Sequence, residues 1–302
     1  MKTLSGATVS EVKFSELEKK VKRENWRRIW FRFKKSKLSV IGLSMILILL
    51  FMAVFAEYVA PYPSHAGLYI AFKNAYKPPS IEHILGTDMY GRDVFSRIIF
   101  GFRYAFMMIG LVLSIVVPTG VILGLIAGYY RGTFIETVIV RLSDIFISLP
   151  PLVLALSIAS ILEPNIFNSM LAVSLMWWPW YVKLTYSMTV SLRNEPFILA
   201  AESQGASTLH ILFRELLPIE LGTILTKVTL DAGWVILIGA AISFVGLGAQ
   251  PPTPDLGTMV SEYSKYLPEY WWMSLGPAAG IVLIILAFNL LGDGVRDVFA
   301  GE

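Results

Sequence analysis

A series of apolar runs, each about twenty residues long and bounded by turn residues, sets the limits on what this chain can fold into. The first runs from Leu38 to about Ala60, LSVIGLSMILILLFMAVFAEYVA, with no charge before Glu57. A helix needs roughly 20 such residues to cross the hydrocarbon of a bilayer. Backbone polar groups in hydrocarbon must be satisfied within the segment, so these runs are read as helices. Five more follow: Tyr104 to Gly128, Glu136 to Ile161, Ser169 to Ser191, Leu221 to Gly246 and Met273 to Leu291. The connections Tyr129 to Phe134 and Leu162 to Asn168 are short, which makes neighbouring helices antiparallel. The expected fold class is an all-α membrane protein with six transmembrane helices. Hydrophobic residues are 55% of the chain and charged ones 16%, too apolar for an ordinary soluble domain. There is no cysteine, which removes disulfides and thiolate metal sites.

The net charge of +3 is not a nucleic-acid signature, because the basic residues crowd one end. Lys13 to Lys37 is dense in Lys and Arg, and Trp26, Ile29, Trp30 and Phe33 recur at helical spacing. Such a segment is expected to lie as an amphipathic helix against lipid headgroups. Positive charge before the first span places the N-terminus in the cytoplasm. Six spans return the C-terminus to the same side. The organisation read from this is a cytoplasmic segment over residues 1–37, a first span over 38–60, an external cap over 61–102 and a core over 103–302. Pro61, Pro63, Pro78 and Pro79 punctuate the cap. A second external loop covers 248–272.

Gly120, Gly124 and Gly128 share one face of the second span, and Gly276 and Gly280 share one face of the last. Small residues at this spacing let backbones approach, so both faces are expected to meet other helices. Pro118 and Pro150-Pro151 mark kinks or helix ends. Lys227 and Asp231 stand four apart in the fifth span, on one helical face. They are either a mutually satisfied structural pair or part of a pathway or proton relay.

Between the fourth and fifth spans lies a more polar stretch, Glu195 to Ile219, EPFILAAESQGASTLHILFRELLPI. Asn194, Glu195 and Pro196 signal a helix start, Gly205 a break, and Ser207 a second N-cap. Thr208 to Leu217 then reads as a short amphipathic helix that Pro218 stops. The expected shape is a docking knob of two short helices, placed at 195–219 on the cytoplasmic side by counting spans. Catalytic chemistry is not in evidence. No glycine is followed by lysine, so there is no phosphate-binding P-loop. His65, His83 and His210 lack metal-ligand spacing, and neither a G-x-S-x-G elbow nor an H-E-x-x-H helix occurs.

The stretch resembles the cytoplasmic coupling loop of binding-protein-dependent ABC importer permeases. That loop reads Glu-Ala-Ala, three residues, Gly, nine residues, Ile, one residue, Leu-Pro. Ala200, Ala201, Gly205, Leu217 and Pro218 stand at those positions, while Leu199 replaces the glutamate and Glu215 the isoleucine. HILGTDMYGRDVFSRIIF from His83, ISFVGLGAQPP from Ile242 and LLGDGVRD from Leu290 are similar to the C-type subunit of the dipeptide/oligopeptide/nickel permeases. The tail Phe299 to Glu302 departs from that family's ending.

The resemblance implies a type I ABC importer permease fold in the cell membrane, multi-pass, with both termini cytoplasmic and lipid around it. It implies a heterodimer with a homologous permease, two cytoplasmic ABC ATPases that bind ATP and magnesium, and an extracytoplasmic solute-binding protein. This chain would be a non-catalytic subunit without a cofactor of its own. Coupling would use Leu199, Ala200, Ala201, Glu202, Gly205, Ala206, Glu215, Leu217 and Pro218. Gly86, Thr87, Asp88, Gly91, Arg92 and Asp93 would form the external cap that meets the binding protein. Di- or oligopeptides are the expected cargo, with oligosaccharides or nickel complexes as the alternative. An ion-coupled transporter using Lys227 and Asp231, or a membrane scaffold or enzyme without ATPases, are the readings of another class.

Overall fold

The computed structural model describes residues 30–299 continuously, with Glu24 and Arg27 ahead of them. Residues 30–35 are helical and the rings of Trp30 and Phe33 stack at 5.8 Å. Most of the expected basic helix Lys13 to Lys37 lies outside the described residues.

Helix α1, Lys37–Val54, starts on a Ser36 cap that accepts from the Ser39 N–H. Its inward residues Ser39, Gly42, Ile46, Leu49 and Ala53 follow the three-and-four rhythm of one helical face. A Cβ on Gly42 would stand 2.5 Å from the Leu291 nitrogen. Here α1 therefore touches backbone of the last helix. After the short α2, Ala56–Val59, come 3-10 turns at Pro63–Ala66 and Phe72–Asn74.

Helix α3, Val94–Tyr129, has 36 residues and passes through Pro118 without stopping. Such a helix is about 54 Å long, well beyond the hydrocarbon. Its first turns belong to the cap, so the boundary expected near Phe102 falls at Val94. The charges of Arg97 and Arg103 hid this helical start. Gly120, Gly124 and Gly128 do meet another helix: added Cβ atoms would lie 2.4, 2.7 and 2.5 Å from the Cβ atoms of Tyr181, Thr185 and Thr189.

The expected third span is broken. Helices α4, Phe134–Ile147, and α5, Pro151–Ile161, bend 92° apart. Pro150 and Pro151 remove amide donors and crowd the preceding turn, which ends α4 and starts α5 afresh. Helix α6, Ile166–Leu192, begins on Asn165, whose side chain accepts from the Asn168 N–H at 2.9 Å. It is the central element, packed against α3, α4, α5 and α8. Its polar residues Ser169, Ser174, Thr185 and Thr189 are buried there.

The chain continues through α7, Pro196–Ser203, then α8, Thr208–Phe244, α9, Leu256–Ser264, and α10, Trp271–Phe299. Four helices, α1, α3, α8 and α10, are long and apolar enough to cross a membrane, and five if the bent pair counts as one span. Helix α6 is not among them. Trp177-Trp178-Pro179-Trp180-Tyr181 and Lys183 dilute its hydropathy. The described chain is thus all-helical apart from one antiparallel bridge between Thr87 and Asp93.

Candidate functional site

At one end of the bundle, α7 and the start of α8 form the expected knob. Helix α7 ends in a Schellman motif: Ala206 N–H donates to the Ala201 carbonyl at 3.0 Å and Gly205 N–H to the Glu202 carbonyl at 2.9 Å. This motif needs a left-handed residue, and Gly205 supplies it with φ +80°. A Cβ at Gly205 would meet nothing within 4 Å. Conformation, not space, requires glycine here. Ser207 caps α8, accepting from His210 N–H at 3.3 Å.

Pro218 does not stop the second helix. Residues Ile211–Leu216 wind as a π-helix, and Leu217 N–H reaches back five residues to the Leu212 carbonyl. A proline ring normally crowds the carbonyl four residues back. The wider turn gives that ring room, so α8 continues through Pro218 as one helix to Phe244. The knob is one short helix plus the near end of a long one.

The knob is anchored by Ile198, Ile211, Leu212 and Leu216, all buried. Its outer face presents Phe197, Leu199, Leu209 and Phe213, with Ala200, Gly205 and Pro218 also exposed. Ala201, Ala206 and Leu217 are half-buried. Glu215 lies 3.3 Å from His210 Nε2. Glu202 turns inward: Tyr129 Oη donates to it at 2.7 Å, and Arg193 Nη2 pairs with it at 2.8 Å. The Arg193 guanidinium lies 4.5 Å over the Tyr129 ring. Glu202 thereby ties α7 to the ends of α3 and α6. Tyr129 and Arg193 had no motif to single them out.

At the opposite end, residues 62–93 and 246–272 form a cap. The side chains of Thr87, Asp88, Arg92 and Asp93 are buried and build the cap. Asp88 accepts from the Tyr90 and Arg92 N–H groups at 2.9 Å, from Arg92 Nε at 2.7 Å and from Tyr263 Oη at 3.0 Å. Arg97, fully buried, places Nε 3.9 Å from Asp88 and donates to carbonyls of His65, Ala66 and Pro252. Asp93 caps α3 through Ser96 N–H at 2.7 Å and bonds His83 Nδ1 at 2.9 Å. Its own N–H donates to His65 Nδ1 at 2.9 Å.

Gly86 and Gly91 have φ of +67° and +78°. A Cβ on Gly86 would stand 2.7 Å from the Trp272 ring. Trp272 is buried and donates to the Thr87 carbonyl at 3.3 Å, while Trp271 is half-exposed. Burial pushes the Tyr263 phenol and the Glu262 carboxyl up and lowers His65 below its usual value. The exposed rim of the cap is apolar: Leu68, Ile70, Phe72, Ile81 and Ile84.

Midway along α8, Lys227 Nζ lies 3.2 and 3.0 Å from the Asp231 oxygens. Trp177 Nε1 donates to Asp231 at 2.9 Å, a partner that sequence spacing could not reveal. Lys183, near the knob end of α6, pairs with Asp144 at 2.5 Å.

Residues 120–301 match the family model described as "Binding-protein-dependent transport system inner membrane component". Residues 24–79 match "N-terminal TM domain of oligopeptide transport permease C". The chain is 38% identical to the dipeptide transport system permease protein DppC of Alkalihalophilus pseudofirmus, over 90% of this chain and 88% of the relative. It is 34% identical to the probable D,D-dipeptide transport system permease protein DdpC of Escherichia coli, over 91% of each. It is 35% identical to the glutathione transport system permease protein GsiD of Pectobacterium atrosepticum, over 91% and 90%.

Proposed function

The chain belongs to the family of binding-protein-dependent transport system inner membrane components, and on that premise we propose that it is the C-type permease subunit of an ATP-driven peptide importer. The relatives named above are permeases for dipeptides, D,D-dipeptides and glutathione, all short peptides. That shared chemistry favours a short peptide over an oligosaccharide or a nickel complex as cargo.

In this reading six helices cross the cell membrane in a type I importer arrangement, with the bent α4–α5 pair and α6 supplying the remaining two crossings. Both termini and the knob face the cytoplasm, and the cap faces outward. A second permease completes the path. Two ATPases, carrying ATP and magnesium, sit beneath the knobs, and a solute-binding protein docks on the apolar rim of the caps. The subunit itself performs no bond chemistry. Its work is to open one side of the path and then the other, which requires the knob to bind differently in the two ATPase states.

The observation that carries the reading is the knob. It exposes Phe197, Leu199, Leu209 and Phe213 at a helix end away from the cap, while four buried side chains and the Glu202 pairings fix it to the bundle. An exposed apolar patch on such a projection fits a protein groove. Affinity purification of the tagged chain from its native membrane tests this. ATPase subunits and ATP-dependent dipeptide uptake should accompany it; uptake that follows an ion gradient and survives ATP depletion would refute the proposal.

A further inference from the structure

A polar cleft lies along α8, on the side that faces the end of α10. Thr223, Thr226, Lys227, Asp231 and Trp234 recur on one helical stripe, and together with Arg296 of α10 they line a cleft of 510 Å³. Arg296 stands one turn beyond Gly292, the point where α10 meets Leu230. A stripe of this kind cannot face lipid tails. Within a span, ionisable groups point into protein or a water-filled cavity. The cleft therefore opens toward the path, or toward the partner that closes it.

The state of the charges is informative. Lys227 and Asp231 pair with each other, and Trp177 holds one Asp231 oxygen in place. The ammonium lies 5.1 Å from the centre of the Tyr181 ring, and the Tyr181 hydroxyl is buried with no partner among the described residues. Arg296 is exposed and has no ion pair among the described residues. A neutral pair and a nearby guanidinium suit a ligand that brings one charge of each sign.

Resting on the peptide-import reading, the geometry points to Lys227, Asp231 and Arg296 as a transient binding site for the zwitterionic main chain of a short peptide in transit. The peptide ammonium takes the place of Lys227 beside Asp231, which keeps its Trp177 bond. The peptide carboxylate takes Lys227 and the fork of Arg296, a geometry suited to carboxylate. One internal ion pair opens and three external ones form, to Asp231, Lys227 and Arg296. A neutral sugar offers no such exchange: opening the pair for it would strand two charges, a costly state away from water. When the peptide leaves, Lys227 and Asp231 close on each other again, and this competing internal pair favours release.

The test uses the whole transporter in proteoliposomes with its binding protein. Because the chain has no cysteine, Thr223→Cys and Trp234→Cys each introduce this subunit's sole thiol. Both should react with a charged, water-soluble methanethiosulfonate during turnover, and saturating dipeptide should slow the reaction at least threefold. Absence of labelling, or labelling that peptide leaves unchanged, overturns the site. A second arm replaces the pair by Lys227→Met with Asp231→Leu. A purely structural ion pair replaced by apolar residues of similar size is commonly neutral or stabilising, so uptake within twofold of wild type overturns the site. The expected result is at least a tenfold fall in peptide imported per ATP. If that variant fails to assemble, Arg296→Gln, on an exposed side chain, should still raise the KM for uptake at least threefold, and an unchanged KM overturns the proposal. A wild-type transporter that hydrolyses ATP but imports no peptide removes the underlying peptide reading, whereas peptide uptake by wild type and apolar pair alike removes the site alone.

Discussion

Replacing Gly205 separates conformation from contact in the knob. In this chain a Cβ at Gly205 meets nothing within 4 Å, yet φ is +80°. The cost of a side chain is therefore backbone strain. A left-handed L-residue costs about 1–2 kcal/mol, enough to shift the turn's population about 5–30-fold. Asparagine visits this region more readily than alanine, and valine resists it most. Strain thus orders the variants Asn, Ala, Val from mildest to worst, with the two bonds at Ala201 and Glu202 lost in the same order. Collision with a bound ATPase would instead follow size, placing alanine ahead of the larger asparagine. The assay is dipeptide uptake per ATP hydrolysed in proteoliposomes, on complexes shown by size exclusion to be assembled. Gly205→Val with wild-type coupling would refute a role for the turn, and Gly205→Asn worse than Gly205→Ala would refute the strain account.

Asp88→Asn leaves the buried guanidinium groups of Arg92 and Arg97 without their carboxylate, and should destabilise the cap by about 3–5 kcal/mol, read as a lower Tm of the purified subunit complex. Gly124→Ala forces a Cβ to within 2.7 Å of the Val182 carbonyl, so overpacking should cost about 1–3 kcal/mol; a melting curve identical to wild type would contradict the close α3–α6 contact. His65 is held below its usual value of 6.5, first by burial, and its Nδ1 accepts from Asp93. The unfolded cap then binds the extra proton, so this stability is present above pH 6.5 and is lost as pH falls through the lowered folded value. Hydrogen exchange over residues 62–93, corrected for intrinsic rates, should quicken at pH 5 relative to pH 7.5.

The legible part of this fold was whatever depends on local pattern. The spans α1, α3, α8 and α10 follow from apolar length, and the α3 contact face from glycines four apart. Gly205 was legible because a left-handed helix end has few alternatives. What escaped depends on tertiary company. The hydroxyls along α6 are tolerable because other helices surround it, and its hydropathy alone does not mark a span. Arg97 looked like an external residue until Asp88 and three carbonyls were placed around it. Pro218 looked like a stop because the six π-helical residues before it have no sequence signature. Thr87, Asp88, Arg92 and Asp93 were legible as one unit, but spacing did not show that the unit faces inward.

The uninterrupted run of α8 from the knob to the ion pair makes it a lever. Asp231 is 23 residues beyond Thr208, about 35 Å along the axis at 1.5 Å per residue. Turning the rod by roughly 10° about its knob end would carry Asp231 about 6 Å, close to the pitch of one helical turn. A displacement of that size is about twice the 2.9 Å bond from Trp177, so α6 either moves with the rod or releases Asp231. The compliance would reside at Ile211–Leu216, the one stretch of the rod wound more loosely than the rest.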